Sequence, residues 1–450
     1  QALDGLLVRH EALRTVFTST QGKPAQHILP ELQIPIEQLP TPANETELNA
    51  MLDALALHRF DLSTGPLMIA RLIPLGDQDQ ILMLVLHHVI SDGWSADIVL
   101  RDLSELYNAG CQRRDAELPE MAIQYADYAL WQRDWLQGDE LERQLAYWRT
   151  QLKGSLPLLD LPTDRPRPPI QTFVGGSEKV MLDPELLKAL KDLSTEHGWT
   201  LYMTLLGAFQ VLLARYSGQD DICVGTPIAG RQHTGLENMV GVFINTLVMR
   251  ADLSGQPSFV ELMAQVKQSA LQSYNHQDLP FEKLVEELQP ERNQSYTPIF
   301  QVLFTLQNRP MSTRLFDHLD IEPVDFEFGD IKFDLTLNMA DWESGLRAQI
   351  DYNSDMFDRE TITTMLERFG NLLRGIVANP KQSVSRLPLL TTAERNHLVD
   401  SWVGKALDFS QPGCIHETFE RQVQRVPDSI AVRCGNEQLT YTELNCKANQ

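Results

Sequence analysis

The sequence predicts an α/β protein built as two lobes, each mixing strands with helices. Three observations carry that expectation. Apolar runs of strand length alternate with helical periodicities in both halves of the chain. The segment LPTDRPRPPI (161–170) holds four prolines in ten residues, which excludes helix and central strand between the halves. At 450 residues the chain is too long for one ordinary core, so two or three domains are expected.

Each element follows in order. ALDGLLVRHEALRTVF places apolar residues at helical spacing ahead of a strand. LMIARLIPL and ILMLVL flank the turn GDQDQ and predict a hairpin. SADIVLRDLSELYNAG reads as a helix ended by Gly110, and YADYALWQRDWLQGDELERQLAYWRTQL as one long aromatic-rich helix. Beyond the prolines, PELLKALKDLSTEHG and TLYMTLLGAFQVLLARYSG are helical, while DICVGTPIAG and GVFINTLVMR are buried strands. VELMAQVKQSALQSYNHQ and FEKLVEELQ predict helices, IFQVLFTLQN a strand, and FDLTLNMADWESGLRAQIDYN a hairpin turning at Glu-Ser-Gly. ETITTMLERFGNLLRGIVANP is a helix closed by Asn379-Pro380.

From about Ser383 the character changes. LPLLTTAERNHLVDSW reads as a linker helix, and CIHETFERQVQRVPDSIAVRCGNEQLTYTELNCKANQ begins a new unit too short to bury a core. The expected division is a first lobe at 1–165, a second at 166–385, a linker at 386–412 and the start of a further domain at 413–450. The N-terminus shows no initiator Met and no signal-peptide pattern, so the chain is expected to be cut from a longer one.

Composition narrows the function. Thirty-eight basic against 61 acidic residues give a net charge of -23, which argues against nucleic acid or anionic lipid as main partner. No stretch approaches the ~20 apolar residues that span a bilayer. Cys111, Cys223, Cys414, Cys434 and Cys446 are scattered, without zinc-ligand spacing. A reducing cytoplasm and no metal site are therefore expected.

The stretch ILMLVLHHVISDGWSADIVL (81–100) carries the chemistry. Strand alternation would send His87 and His88 to opposite faces, one to the core and one to a surface or cleft. Asp92 lies four residues beyond His88, and Gly93 lets the backbone turn where a Cβ would clash. By themselves these residues fit a general base with its carboxylate. They fit equally a core histidine followed by a helix N-cap.

The pattern His-His-x-x-x-Asp-Gly resembles the signature of nonribosomal peptide synthetase condensation domains, relatives of chloramphenicol acetyltransferase. RHEALRTVF (9–17), YADYALWQ (125–132), VGVFINTLVMR (240–250), HQDLPFEKLVEEL (276–288) and TPIFQVLFTLQN (297–308) resemble further family motifs in order. LTYTELN (439–445) resembles the first core motif of an adenylation domain. The family's opening motif, of Ser-Ala-Gln-x-Arg-Leu type, is missing, which implies a first lobe truncated at its start.

The resemblance implies two chloramphenicol acetyltransferase-like lobes in a V-shaped pseudo-dimer with a central tunnel. It implies amide-bond formation between an upstream acyl or peptidyl thioester and a downstream aminoacyl thioester. Both would ride on phosphopantetheine arms of carrier proteins, with L-configured donor and acceptor. No cofactor is implied for the domain itself; ATP and Mg would serve only the rest of the adenylation domain. His88 maps to the catalytic second histidine, His87 to a structural one, and Asp92 to an aspartate held by an arginine. Arg231 is the first choice for that arginine and Arg9 the second, while Arg9 and Arg14 also fit a plain helix surface. Trp94, Ser95, Asn245 and Trp131 are candidates to line the tunnel. Trp131 also fits core packing, and Asn245 satisfaction of a neighbouring loop. An epimerisation domain would lack Asp-Gly-Trp-Ser, and a heterocyclisation domain would replace the histidines with aspartates. A non-catalytic docking module or an acyltransferase on a soluble acceptor remain the alternatives.

Overall fold

In a computed structural model the chain divides into two compact units, Gln1–Leu389 and Leu390–Gln450. The structure describes all residues except 155, 157, 292, 308–315, 325–328, 330, 343 and 402–413. The last residue of TPIFQVLFTLQN and residues 402–412 of the expected linker lie outside the described residues.

The first unit begins with helix α1 (Ala2–Arg9), a 3₁₀ turn (Glu11–Arg14) and strands β1 (Thr15–Thr20) and β2 (Lys23–Ile28). Strand β3 (Ile36–Gln38), helix α2 (Glu45–Ala56) and the hairpin β4 (Met68–Pro74) and β5 (Gln80–Leu86) follow. Then come helices α3 (Gly93–Gln112), α4 (Tyr125–Trp135) and α5 (Gly138–Gln151). Beyond the prolines run β6 (Gly175–Leu182), α6 (Pro184–Glu196), α7 (Leu201–Ser217), β7 (Asp221–Ile228), β8 (Asn245–Asp252), α8 (Phe259–Asn275) and α9 (Phe281–Leu288). Strands β9 (Val302–Gln307), β10 (Leu335–Trp342) and β11 (Gly345–Asn353) and helix α10 (Arg359–Ala378) complete the unit.

Two of the expected helices differ from their sequence reading. The long aromatic segment is two helices, because the chain leaves α4 at Leu136 and Gly138 takes a left-handed φ of 55°. Helix α3 passes Gly110 and ends at Gln112, where Arg113 adopts the left-handed cap conformation at φ 53°. Neither break carries an apolar-pattern signal, since both are local backbone events.

Sheet order explains the two readings of strand sequence. β3-β4-β5 form a small sheet, and β6-β11-β10-β9-β7-β8 a mixed six-stranded one, with β9 parallel to both β10 and β7. Central strand β7 is buried on both faces from Ile222 to Thr226, whereas β9 alternates buried with half-buried residues. Helix α7, apolar on almost every side, is buried along most of its length. Thr200 caps its start by accepting from the Met203 N–H, and Gly218 closes it at φ 71°.

Two cores result, and each recruits chain from across the proline-rich segment. The larger surrounds the six-stranded sheet and takes Leu145, Trp148 and Leu152 from the α5 segment. The smaller joins α1, α3 and β4 and takes Val240 from the stretch before β8. The Trp148 indole is 1% exposed and donates to the His276 carbonyl at 2.9 Å.

The second unit contains α11 (Thr392–Asn396), α12 (Ile415–Arg425), the hairpin β12 (Ile430–Cys434) and β13 (Glu437–Thr440), and α13 (Tyr441–Ala448). Capping boxes at Cys414/Glu417 and Thr440/Glu443 start its two longer helices. None of the residues from Cys414 to Gln450 is buried. No helix among the described residues is long and apolar enough to cross a membrane.

Replacing Trp148 with Ala removes an aromatic at the junction of α5 with the larger core and is expected to destabilise the first unit by about 3–5 kcal/mol. Denaturant unfolding of the whole chain measures this.

Candidate active site

Strand β5 ends at Leu86, so His87 and His88 lie not on a pleated strand but in a turn. The Ile90 N–H donates to the His87 carbonyl at 3.0 Å and closes it. His87 is half-buried and His88 exposed, a difference that the turn sets rather than strand alternation. The His87 N–H donates to the Leu67 carbonyl, and its ring Nδ1 accepts from the Val89 N–H at 3.0 Å. Nδ1 must therefore be unprotonated, which leaves the proton on Nε2 in a neutral ring. Partial burial, then the proximity of His88, lowers the His87 pKa and favours that neutral form. Phe60 packs edge-on against the ring at 5.8 Å. His88, one residue on, is exposed.

The turn runs into a buried polar cluster at the start of α3. Asp92 is the helix N-cap: its Oδ1 accepts from the Ser95 N–H at 2.8 Å and the Ser95 hydroxyl at 2.7 Å. Its Oδ2 accepts from the Phe243 N–H at 2.9 Å, 151 residues along the chain. The Arg231 Nη2 donates to Asp92 Oδ1 at 3.2 Å and to Ser95 Oγ at 2.8 Å. Both charged side chains are sealed off, at 1% exposure for Arg231 and 2% for Asp92. Burial pulls the Arg231 pKa down, opposed by the adjacent Asp92 charge. The guanidinium lies 4.0 Å from the Phe243 ring centroid and donates through Nη1 to the carbonyls of Leu236 and Met239. Asp92 thus serves both readings of the sequence at once, as helix cap and as arginine partner.

The same face of α3 continues the seam. The Trp94 indole donates to the Glu237 carbonyl at 3.1 Å, and the Gly241 N–H donates to Ser95 Oγ at 3.1 Å. Gly241 is required by contact: a Cβ there would fall 2.1 Å from the Tyr125 ring. Tyr125 in turn donates to the Val242 carbonyl at 2.9 Å.

Other expected residues lie elsewhere or do other work. Gly93 is the first residue of α3, and a Cβ there would meet nothing within 4 Å, so the turn does not need its missing side chain. Arg9 lies on Asp102 rather than Asp92, with Nε donating to Oδ2 at 2.9 Å. Arg14 donates to the Leu29 carbonyl and to Glu11. The Asn245 amide is fully used: Nδ2 donates to the carbonyls of Gln277 and Leu279, and Oδ1 accepts from the N–H groups of Phe281 and Thr246. That leaves it no hydrogen bond for a substrate. Trp131 is outside the core at 42% exposure, stacked on Trp135 and edge-on to His233. Trp94 is also exposed.

Sequence reasoning missed Asp102. Its carboxylate is completely buried and accepts from Arg9, His10 and Arg101. The signal was legible: Asp102 sits in the buried stripe of Ser95, Ile98, Val99 and Leu103, where an unpaired charge would be untenable. Despite burial, hydrogen bonds from His10, Arg101 and Arg9 hold the carboxyl below the usual range. Burial of the His10 imidazole lowers its pKa, outweighing the upward pull of Asp102. No group of three or more His, Cys, Asp or Glu positioned for a metal occurs among the described residues.

The family model of the condensation domain matches residues 1–399. The chain is 46% identical over 456 residues to one subunit of the linear gramicidin synthase of Brevibacillus parabrevis, covering all of this chain and 9% of that protein. To malpinin synthetase of Mortierella alpina it is 41% identical over 452 residues, again covering all of this chain but 6% of the relative. The X-domain from teicoplanin biosynthesis superposes at a TM-score of 0.77 with 28% identity, over 86% of this chain and 89% of the other. A four-domain nonribosomal peptide synthetase bound to AMP and glycine gives 0.81 over 98% of this chain and 34% of the other, at 23% identity. The chain belongs to the condensation-domain family, the peptide-bond-forming acyltransferases of nonribosomal peptide synthetases, and has their chloramphenicol acetyltransferase-like α/β fold.

Asp92→Ala leaves the Arg231 guanidinium buried without its counter-charge and is expected to cost about 3–5 kcal/mol in denaturant unfolding. His10 gives a pH dependence with a definite sign. Below its ordinary pKa of 6.5 the unfolded chain binds a proton that the folded state refuses, so stability falls as pH drops through that value. Unfolding at pH 8 and pH 5.5 should show the loss, and His10→Asn should shrink it.

Proposed function

We propose that His88 serves the reacting amine in amide-bond formation between two carrier-borne thioesters. The observation that carries this reading is the division of labour in the turn. His87 spends Nδ1 on the Val89 N–H, whereas the His88 ring is exposed beside a helix start locked by Asp92 and Arg231.

The chemistry demands little of a base. An α-amine with a pKa of about 7.7–8.0 is partly neutral near pH 7 and can attack the upstream thioester carbonyl directly. The C–N bond forms, the C–S bond breaks, and the donor carrier's phosphopantetheine leaves as a thiolate. The ammonium proton generated in the attack passes to the His88 imidazole and from there to that thiolate, so the enzyme returns unchanged. The product stays as an extended thioester on the downstream carrier. Its partners are therefore the upstream and downstream carrier domains, with donor and acceptor both L-configured.

Within Gln1–Leu389 we assign residues 1–165 and 166–385 to the two lobes of a V-shaped pseudo-dimer whose tunnel admits a pantetheine arm from either side. Trp94 and Trp131, both exposed aromatics, are retained as tunnel-lining candidates. Residues 413–450, with their capped helix at Tyr441, are assigned to the start of an adenylation domain. The cytoplasm is the compartment we assign, in keeping with five unpaired cysteines. A docking role has one observation in its favour, the solved complex of the teicoplanin X-domain with OxyB.

His88→Ala in the full module, with preloaded donor and acceptor carriers, should lower dipeptidyl-thioester formation by about 10²–10⁴-fold while adenylation and loading persist. Intact-mass detection of the acyl transfer reads it. Condensation at the wild-type rate in His88→Ala would overturn the role given to His88, and absence of dipeptidyl thioester with the wild-type module would favour the docking role instead.

A further inference from the structure

We propose that Asp102 is a positioning residue for condensation, acting through Arg101 and Asn238 to hold the 236–243 segment against α3. The geometry forms a continuous chain. Asp102 Oδ2 accepts from Arg9 Nε and His10 Nε2, each at 2.9 Å, which fixes the carboxylate. Its Oδ1 accepts from Arg101 Nε at 2.8 Å and Nη2 at 2.7 Å. With two nitrogens of its fork committed, the Arg101 guanidinium has one orientation, and that orientation aims Nη1 at Asn238 Oδ1, 2.7 Å away.

Asn238 lies between Leu236 and Met239, whose carbonyls receive the Arg231 Nη1. Arg231 then reaches Asp92, the last residue of the histidine loop. Two buried carboxylates on one helix therefore grip the same segment through two arginines, Asp92 directly and Asp102 at one remove. Arg101 is 40% exposed, so without Asp102 its side chain would relax into water and release Asn238. The 236–243 segment would then keep its holds at Glu237, Gly241, Val242 and Phe243 but lose the one at Asn238, beside the Leu236 and Met239 carbonyls that set the angle of Arg231 to Asp92.

The partial exposure of Arg101 makes the test clean, because its loss leaves no buried charge except Asp102, which keeps Arg9 and His10. Arg101→Ala, Asn238→Ala and the double variant are compared in the full module with preloaded carriers, recording kcat, the acceptor-carrier KM and Tm. Each single variant should lower kcat roughly three- to thirtyfold, with KM and Tm close to wild type. The double variant should be no slower than the slower single, since both cut one link. Arg101→Lys should fail to restore kcat, because an ammonium cannot bridge Asp102 and Asn238 together. Wild-type kcat in the single variants, or additive losses that follow Tm, would overturn the proposal. Asp102→Asn is expected to join the same non-additive set. The assignment of His88 is tested separately by His88→Ala, so the two readings fail independently.

Discussion

A carboxylate and a guanidinium, both shut away from water, decide how the parts of this chain meet. Asp92 and Arg231 come from segments about 140 residues apart, on either side of the proline-rich break. Removing two charges from water costs several kcal/mol per ion, a cost that their attraction offsets only with good geometry and full hydrogen bonding. Here Ser95, the Phe243 N–H and the carbonyls of Leu236 and Met239 fill most of the remaining valences, and the buried Arg231 Nε–H has no partner among the described residues. The pair contributes geometry more than net stability. It fixes the angle at which the second half of the chain crosses the start of α3, and so the angle at which the His87–His88 turn is presented.

Around that pair the polar groups are arranged as a seam rather than a point. Residues 92, 94, 95 and 101 of the α3 segment contact backbone or side chain between 237 and 243, while Tyr125 covers the far side. Phe243 joins the two kinds of interaction: its N–H serves Asp92 and its ring faces the Arg231 guanidinium. A seam of this kind resists sliding, because every hydrogen bond is short and directional. It leaves the turn above it attached through Asp92 and the strand end of β5.

Much of the fold was legible because buried strands and amphipathic helices leave periodic patterns. The hairpins β4–β5 and β10–β11, and the helices α6 to α10, all follow their apolar spacing. The break between α4 and α5 was not legible, since Gly138 within a run of good helix formers reads as a tolerated glycine until its φ is known. In the site, Arg231 and Asp92 were readable as partners only through a family pattern; nothing in spacing alone joins residues so far apart. Asn245 left two readings open in the sequence, a tunnel contact or satisfaction of a neighbouring loop, and its amide does the second by clamping the 277–281 turn. Gly93 misled, since proximity to a motif suggested a steric need that the backbone does not have. Asp102 went unread although its position in the apolar stripe of α3 marked it.

The exchange of segments between the two cores bears on how such a chain could be recombined. The proline-rich stretch looks like the natural place to join halves taken from different synthetases. Yet Trp148 anchors in the core that follows it, and Val240 in the core that precedes it. A chimera joined at that stretch would pair a donor α5 with a foreign pocket and a donor 236–243 segment with a foreign α3. Compatibility would then rest on matching two interlocked surfaces, and the visible linker would be the wrong seam along which to cut.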